Sequence, residues 1–278
     1  MRSFKIVSDS SSDLFTLDQT AYAYAPMKLI TAEREFVDDD HLNVDEMVDF
    51  LDHYKGQSKS SCPNTADWLA AFGDAEDIIC TTITSGLSGS YNSACTAKKV
   101  YEEQYPGRRV FVVDTLSAGP EIALMIRRIA ECAESGMPYE QICEDICAYR
   151  QKTGLIFMLK SLKNFANNGR VSPLVSKLVG IAGICIVGRA SPEGTLDPAH
   201  KCRGESRAIA TLLSELETQG LCHGRVSIGH CRNENAALLL KEKIAEKFPQ
   251  VSVEIHTFRG LCSFYAELGG VLIGFEKQ

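Results

Sequence analysis

The stretch IICTTITSGLSGSYNSA, Ile78 to Ala94, decides the fold. Its β-branched start reads as a strand, its two glycines as a turn, and the run from Ser90 to Tyr105 as a helix stopped by Pro106-Gly107. A strand that feeds a glycine-rich turn and then a helix is the unit of parallel α/β architecture. The turn then falls at the carboxyl edge of the sheet, where open α/β sheets bind ligands. Three readings of this hydroxyl-rich turn stay open at this level. Gly86-Leu87-Ser88-Gly89-Ser90 follows the nucleophile elbow G-x-S-x-G except for its last glycine. Ser88, Asp114 and His230 also follow the hydrolase order of nucleophile, acid and base, although Asp114 ends the very next strand, much sooner than in that fold. In the second reading, Ser88-Gly89-Ser90 cradles a carboxylate or phosphate with helix-terminal N–H groups and a hydroxyl. In the third, Ser88 or Ser90 only caps the helix.

Outward from this unit, short β-branched runs alternate with helical patterns. Phe4 to Val7 reads as a first strand ending at Ser8-Asp9-Ser10, with Asp13-Leu14 opening a short helix. Tyr24 to Leu29 reads as a second strand, Asn43 to Tyr54 as a helix capped by Asn43, and Arg109 to Val113 as a strand ending at Asp114. Helices are expected over Glu121–Ser135 and Tyr139–Lys152. Asp9, Ser85 and Asp114 thereby gather at one sheet edge. After Lys152 the pattern changes: a strand at Leu155–Leu159, a helix ending near Asn167-Asn168-Gly169, and a hairpin from Ile184–Val187 through a turn containing Gly194. Leu174 to Ile181 is apolar nearly all round, as in a buried or cavity-lining segment. Helices at Glu205–Glu217 and Asn233–Phe248, with strands at Arg225–Gly229, Val251–Ile255 and Gly270–Phe275, complete the set. The expectation is two α/β domains, residues 1–155 with a mainly parallel sheet and residues 156–278 with a mixed sheet.

The 278 residues carry a net charge of −7 with a sequence pI near 5.5, which argues against a nucleic-acid partner. The amino terminus has no signal-peptide core and no apolar run is long enough to span a bilayer, so a soluble, cytoplasmic protein is expected. Eleven cysteines are scattered through core-like contexts without a C-x-x-C pair, and reduced thiols are expected. The six histidines are dispersed, and the acidic run Phe36 to His41 lacks the later glycine and glutamate of a calcium loop, so it reads as a solvated turn and no metal is expected. Neither G-x-x-x-x-G-K-[ST] nor G-x-G-x-x-G occurs, so no nucleotide cofactor is expected either.

Six separated segments carry a family resemblance: IVSDSSSDL (6–14), KSSCPN (59–64), TSGLSGSYNSA (84–94), VVDTLSAG (112–119), NNGRVSPLVSKLVGI (167–181) and KCRGESRAI (201–209). In this order they resemble the DegV family, bacterial lipid-binding proteins that include the fatty-acid-binding subunits of fatty acid kinase. The resemblance implies a long-chain fatty acid in a tunnel between two α/β domains, with a fatty acid kinase subunit as a partner. It places the acid's carboxylate on Ser60, where serine replaces the usual threonine, and on Ser88 with the Gly89 backbone. Arg170 and Arg203 match family arginines near the head group and the surface used with the kinase. Asp9 and Ser10 would order the loop beside the head group, and Ser61 and Ser90 would complete the polar shell.

The chain departs from the family at its end. Where acyl-presenting members have H-x-G-P-G, this chain has Tyr265-Ala266-Glu267-Leu268-Gly269-Gly270. A phenol donates a hydrogen bond to a carboxylate but is no proton shuttle near neutral pH. His256 lies in an expected strand and reads as a satisfied or exposed histidine. The resulting expectation is a fatty-acid-binding protein without enzymatic activity, with the serine hydrolase of Ser88, Asp114 and His230 as its rival.

Overall fold

The computed structural model describes residues 2–171 and 183–278, and the apolar stretch expected at Leu174 to Ile181 lies outside them. Four strands, β1 (Phe4–Asp9), β2 (Tyr22–Ala25), β6 (Asp77–Thr82) and β7 (Arg109–Asp114), form an all-parallel sheet in the order β2-β1-β6-β7. β6 is buried along its whole length, which is why DIICTT lacks the alternation of a strand with one wet face. Helices α2 (Thr65–Phe72), α3 (Ser90–Gln104), α4 (Pro120–Glu134) and α5 (Tyr139–Gln151) accompany this half. α2 opens with a capping box of Asn64 and Asp67, and α4 with Pro120 in its first turn after Gly119 at φ 54°.

A mixed six-stranded sheet follows, in the order β10-β9-β8-β13-β11-β12. Its members are β8 (Thr153–Leu159), β9 (Ile184–Ala190), β10 (Leu196–Arg203), β11 (Gly224–His230), β12 (Val251–Thr257) and β13 (Val271–Glu276); only β11 and β12 pair in parallel. The helices of this half are α6 (Lys163–Asn167), α7 (Glu205–Thr218), α8 (Glu234–Lys247) and α9 (Gly260–Ala266). The division expected between residues 155 and 156 falls inside β8. β8 is buried on both faces: Ile156 and Met158 join the cluster under α7 and α8, while Phe157 and Leu159 join a second cluster shared with the first half. That shared core unites Ile6, Met27 and Phe36 with Phe157, Phe258 and Phe264. No described helix is long and apolar enough to cross a membrane.

Three local expectations change. The second strand splits at Pro26 into β2 and β3 (Lys28–Ile30), and β3 joins β4 (Glu35–Val37) and β5 (Lys59–Ser61) in a separate antiparallel sheet. Proline removes a ladder donor, so the chain changes sheet there. The helix expected at Asp13-Leu14 is instead a single 3-10 turn at Ser10–Ser12, closed by Asp13 in the left-handed region at φ 57°. The acidic run is a solvated turn only at its end: Asp40 and His41 are exposed in a turn, but Asp38 is fully buried. α1 (Val44–His53) is capped by Asn43 as expected, the amide oxygen accepting the Glu46 N–H.

Two contacts between the halves generate predictions. The tip of the β9–β10 hairpin lies against the Thr84–Gly89 loop so closely that a Cβ on Gly194 would sit 2.0 Å from Thr84 Oγ1 and 2.9 Å from the Leu116 Cα, at φ +72°. Gly194→Ala is expected to cost about 3 kcal/mol in urea denaturation, adding overpacking to left-handed strain. Gly107→Ala, also at positive φ but facing open space, should cost only about 1 kcal/mol; equal losses would remove the hairpin contact from the account.

Asp13 Oδ1 accepts the Arg259 N–H at 2.8 Å, whereas Oδ2 and the facing His256 Nε2, 4.0 Å away, have no hydrogen-bond partner among the described residues. His256 is half-buried in β12 as a strand histidine, its Nδ1 3.5 Å from Ser227 Oγ, and only its Nε2 goes unmet among the described residues. Burial pushes Asp13 up to about 8, opposed by the Arg259 N–H and assisted by Asp38, and burial pushes His256 down to about 4. Between the ordinary aspartate value and pH 8 the folded chain holds a proton on Asp13 that the unfolded chain has released, so stability falls as pH rises through that window. Asn suits the left-handed region and keeps an acceptor for Arg259. From about pH 7.5 to 8.5, where His256 is close to neutral in both states, the melting temperature of the natural chain should drop relative to Asp13→Asn. Parallel curves would show that Asp13 does not titrate there.

Candidate functional site

Between the two large sheets lies a cavity of about 300 Å³, at the small end of the range for small-molecule sites. Its long wall is apolar: Leu155, Phe157 and Leu159 point in from β8, with Leu272, Leu116 and Leu196 around them. Ser60, Ser61, Ser88, Gly89, Arg170 and Tyr265 also border it. The cavity is therefore amphiphilic, an apolar slot with a minority of convergent polar groups.

The loop from Ile83 to Gly89 owes its shape to buried acceptors. Asp9, fully buried at the end of β1, accepts the Ile83 N–H at 3.0 Å and the Ser90 hydroxyl at 2.5 Å on Oδ2, and the Ser11 hydroxyl on Oδ1. Burial raises the Asp9 carboxyl above its ordinary value, and these donors oppose the rise. Asp114 accepts the Ser85 N–H at 3.0 Å, and the Thr84 N–H donates to Ser117 O at 2.9 Å. The Leu87 and Ser88 N–H groups turn back onto Thr84 O, and the Ser90 N–H donates to Ser88 Oγ at 3.2 Å. Two of the N–H groups expected at the cradle, those of Ser88 and Ser90, are thus used internally. The Gly89 N–H and the Ser88 O–H remain, and because Ser88 Oγ already accepts, its own proton is available to donate outward.

Opposite stands Ser60, on β5. Its Oγ lies 2.6 Å from the Tyr265 hydroxyl, and its N–H donates to Asn168 Oδ1 at 3.3 Å. In a serine–phenol pair one hydroxyl donates to the other, which leaves one proton for a third group. Burial raises the Tyr265 pKa, against Ser60 and Arg170, so the phenol remains a donor at neutral pH. Its ring is fixed by Phe165 and Phe264, with centroids 4.6 Å and 4.9 Å away. Ser93 Oγ donates to Pro63 O at 2.8 Å, tying the Ser60 segment to α3. Arg170 is exposed at the cavity rim, its N–H held by Phe165 O at 2.8 Å.

The other expected residues divide. Ser61 borders the cavity. Asp9 and Ser90 lie behind the loop as its supports. Ser10 does not border the cavity; its hydroxyl donates to Asp38 and accepts the Met27 N–H. Arg203 is exposed at the end of β10 away from Leu196 and is not among the described residues that border the cavity. The hydrolase triad does not assemble. Asp114 is occupied by the Ser85 and Leu116 N–H groups, His230 Nδ1 accepts the Asn233 N–H at 3.2 Å, and neither bonds to Ser88. Among the described residues no group of three or more His, Cys, Asp or Glu side chains is arranged to hold a metal, and the cysteines are unpaired.

Two contributors escaped the sequence reading. Cys62 borders the cavity 3.4 Å from where a Gly89 Cβ would stand. α9 carries Leu261, Cys262, Tyr265 and Ala266 to the wall; Leu261, Phe264 and Tyr265 at helical spacing were its signal.

A family model described as an uncharacterised protein of the DegV family matches residues 3–278. A DegV domain-containing protein of Streptococcus pneumoniae R6 is 39% identical over 277 residues, covering 98% of this chain and 99% of the relative. Two solved structures share 38% identity and cover 99% of this chain and 100% of their own. One is a DegV family protein from Eubacterium eligens loaded with heptadecanoic acid, at a TM-score of 0.96. The other is the fatty acid kinase B3 protein of Streptococcus pneumoniae loaded with linoleic acid, at 0.97. With a family model spanning nearly every residue and full-length relatives of the same fold, the chain belongs to the DegV family.

Proposed function

We propose that this protein binds one long-chain fatty acid, with the carboxylate between Ser88-Gly89 and the Ser60–Tyr265 pair and the tail along Leu155, Phe157 and Leu272. The observation that carries the reading is the placement of unspent donors, the Ser88 hydroxyl and one proton of the Ser60–Tyr265 pair, at a cavity whose wall is mostly apolar. Arg170 at the rim supplies positive charge for the head group. A tail of about 15 methylenes contributes on the order of 12 kcal/mol of gross burial. Ordering and association offset much of that, so the head group is left to set polarity and register. Relatives loaded with heptadecanoic and linoleic acids support the same ligand class.

The chain acts as a carrier, not as an enzyme, and offers the bound acid's carboxylate to a fatty acid kinase subunit; the likeness to a fatty acid kinase B3 protein supports that partner. Among the described residues no base bonds to Ser88, so a fluorophosphonate should leave it unlabelled. Stoichiometric labelling of Ser88, lost in Ser88→Ala, would restore the hydrolase.

Solvent extraction of purified protein followed by mass spectrometry is expected to release close to one fatty acid per chain. Ser60→Ala and Ser88→Ala should each weaken uptake of added acid by about tenfold or more, the range for a hydrogen bond to a charged group. An empty extract with no uptake by the natural chain would end the fatty-acid reading. Mixing the loaded chain with a purified kinase subunit and ATP should form an acyl phosphate that hydroxylamine traps; its absence would remove the kinase partner while leaving the carrier.

A further inference from the structure

α9 forms part of the head-group wall, yet it has only seven residues and belongs to no sheet. A helix of that length does not hold itself in place. Its first turn is gripped by a side chain from the other half of the molecule. Asp38 Oδ1 accepts the Gly260 N–H at 2.8 Å, and Oδ2 accepts the Leu261 N–H and the Ser10 hydroxyl, each at 2.9 Å. Asp38 is wholly removed from water, and a buried carboxylate keeps its place only where donors of this kind satisfy it. The fit is tight: a Cβ on Gly260 would stand 2.6 Å from Asp38 Oδ1. Ser10 extends the grip, because its Oγ also accepts the N–H of Met27, which borders the cavity. Tyr265 sits five residues beyond Gly260 on the same short helix, and its hydroxyl meets Ser60 at 2.6 Å.

We propose that Asp38 is a positioning residue of the head-group site: by anchoring the first turn of α9 it sets the Tyr265 phenol against Ser60, where both face the ligand's carboxylate. The inference rests on the fatty-acid reading above and adds to it a residue that touches no ligand. Other contacts also hold α9, namely Arg259 N–H on Asp13 and Asn164 Nδ2 on Phe264 O at 2.7 Å. If these suffice, Asp38 contributes to stability alone, and the test separates the two roles.

Palmitic acid and hexadecanol share a tail and differ in the carboxylate. Their affinities are measured by calorimetry at about pH 7.5 for the delipidated natural chain, Asp38→Asn, Tyr265→Phe and the double variant. Burial pushes Asp38 up to about 6, so it is ionised under these conditions. Asp38→Asn should weaken palmitic acid by about tenfold and hexadecanol by less than about twofold, and the double variant should lose no more than the larger single loss, as residues acting through one another do. Ser10→Ala, a milder change to the same grip, should shift the acid-to-alcohol preference in the same direction, and carries the test where Asp38→Asn does not fold. Equal losses for both ligands, or losses that multiply in the double variant, would overturn the positioning role. A natural chain that prefers palmitic acid while Asp38→Asn and Ser10→Ala retain that preference would overturn it too, with the fatty-acid reading intact. A natural chain that takes up neither ligand overturns both.

Discussion

Asp9 ends a central strand of the parallel sheet with a fully buried carboxyl group, and the loop above it takes the shape that satisfies its two oxygens. Burying an ionised carboxylate costs several kcal/mol unless donors surround it. Here the donors come from Ile83, Ser90 and Ser11. Meeting that demand pins both ends of the Ile83–Ser90 segment, turns the Ser88 N–H inward onto Thr84 and leaves the Ser88 hydroxyl facing the cavity. The acid that supports the site does not line it.

The two halves meet around the cavity in unequal ways. On the α9 side, side chains cross repeatedly: Asp38 and Asp13 to α9 and its approach, Arg232 to Asp45 at 3.0 Å and to Asp49, and Ser60 to Tyr265. On the hairpin side, Gly86 and Gly194 let backbone rest on backbone, since a Cβ on Gly86 would come within 2.7 Å of Glu193 O. The polar crossings fix direction and register, while the shared apolar core supplies most of the burial that holds the halves together. The site inherits this division: hydrogen-bond donors from the loops and α9 meet apolar area from β8 and β13 around one cavity.

Legibility followed sequence distance. The strands at Asp77–Thr82 and Arg109–Asp114, the helices from Ser90, Pro120 and Tyr139, and the cap at Asn43 were readable because periodicity, glycine and proline signals, and capping residues act within a few positions. Ser60, Ser88 and Tyr265 were singled out by family resemblance, and the structure brings these three to one cavity. Arg203 was singled out in the same way, but motif order carries no information about which end of a strand faces a pocket.

By itself the sequence determined the alternation of strands and helices, the parallel character of the first half, the hydroxyl-rich turn at a sheet edge, and the family. The first three are written in local patterns of side-chain size, branching and polarity, and the family in the order of six separated motifs. Tertiary structure alone decided that Asp38 is buried at a helix start instead of solvated in a turn, that Pro26 divides one apolar run between two sheets, and that the Ser88 N–H is spent while its hydroxyl is free. Each of these depends on a partner far along the chain, such as Gly260 for Asp38. A charge or a hydroxyl carries no mark of whether water or a distant N–H will satisfy it, and only the packed chain settles which.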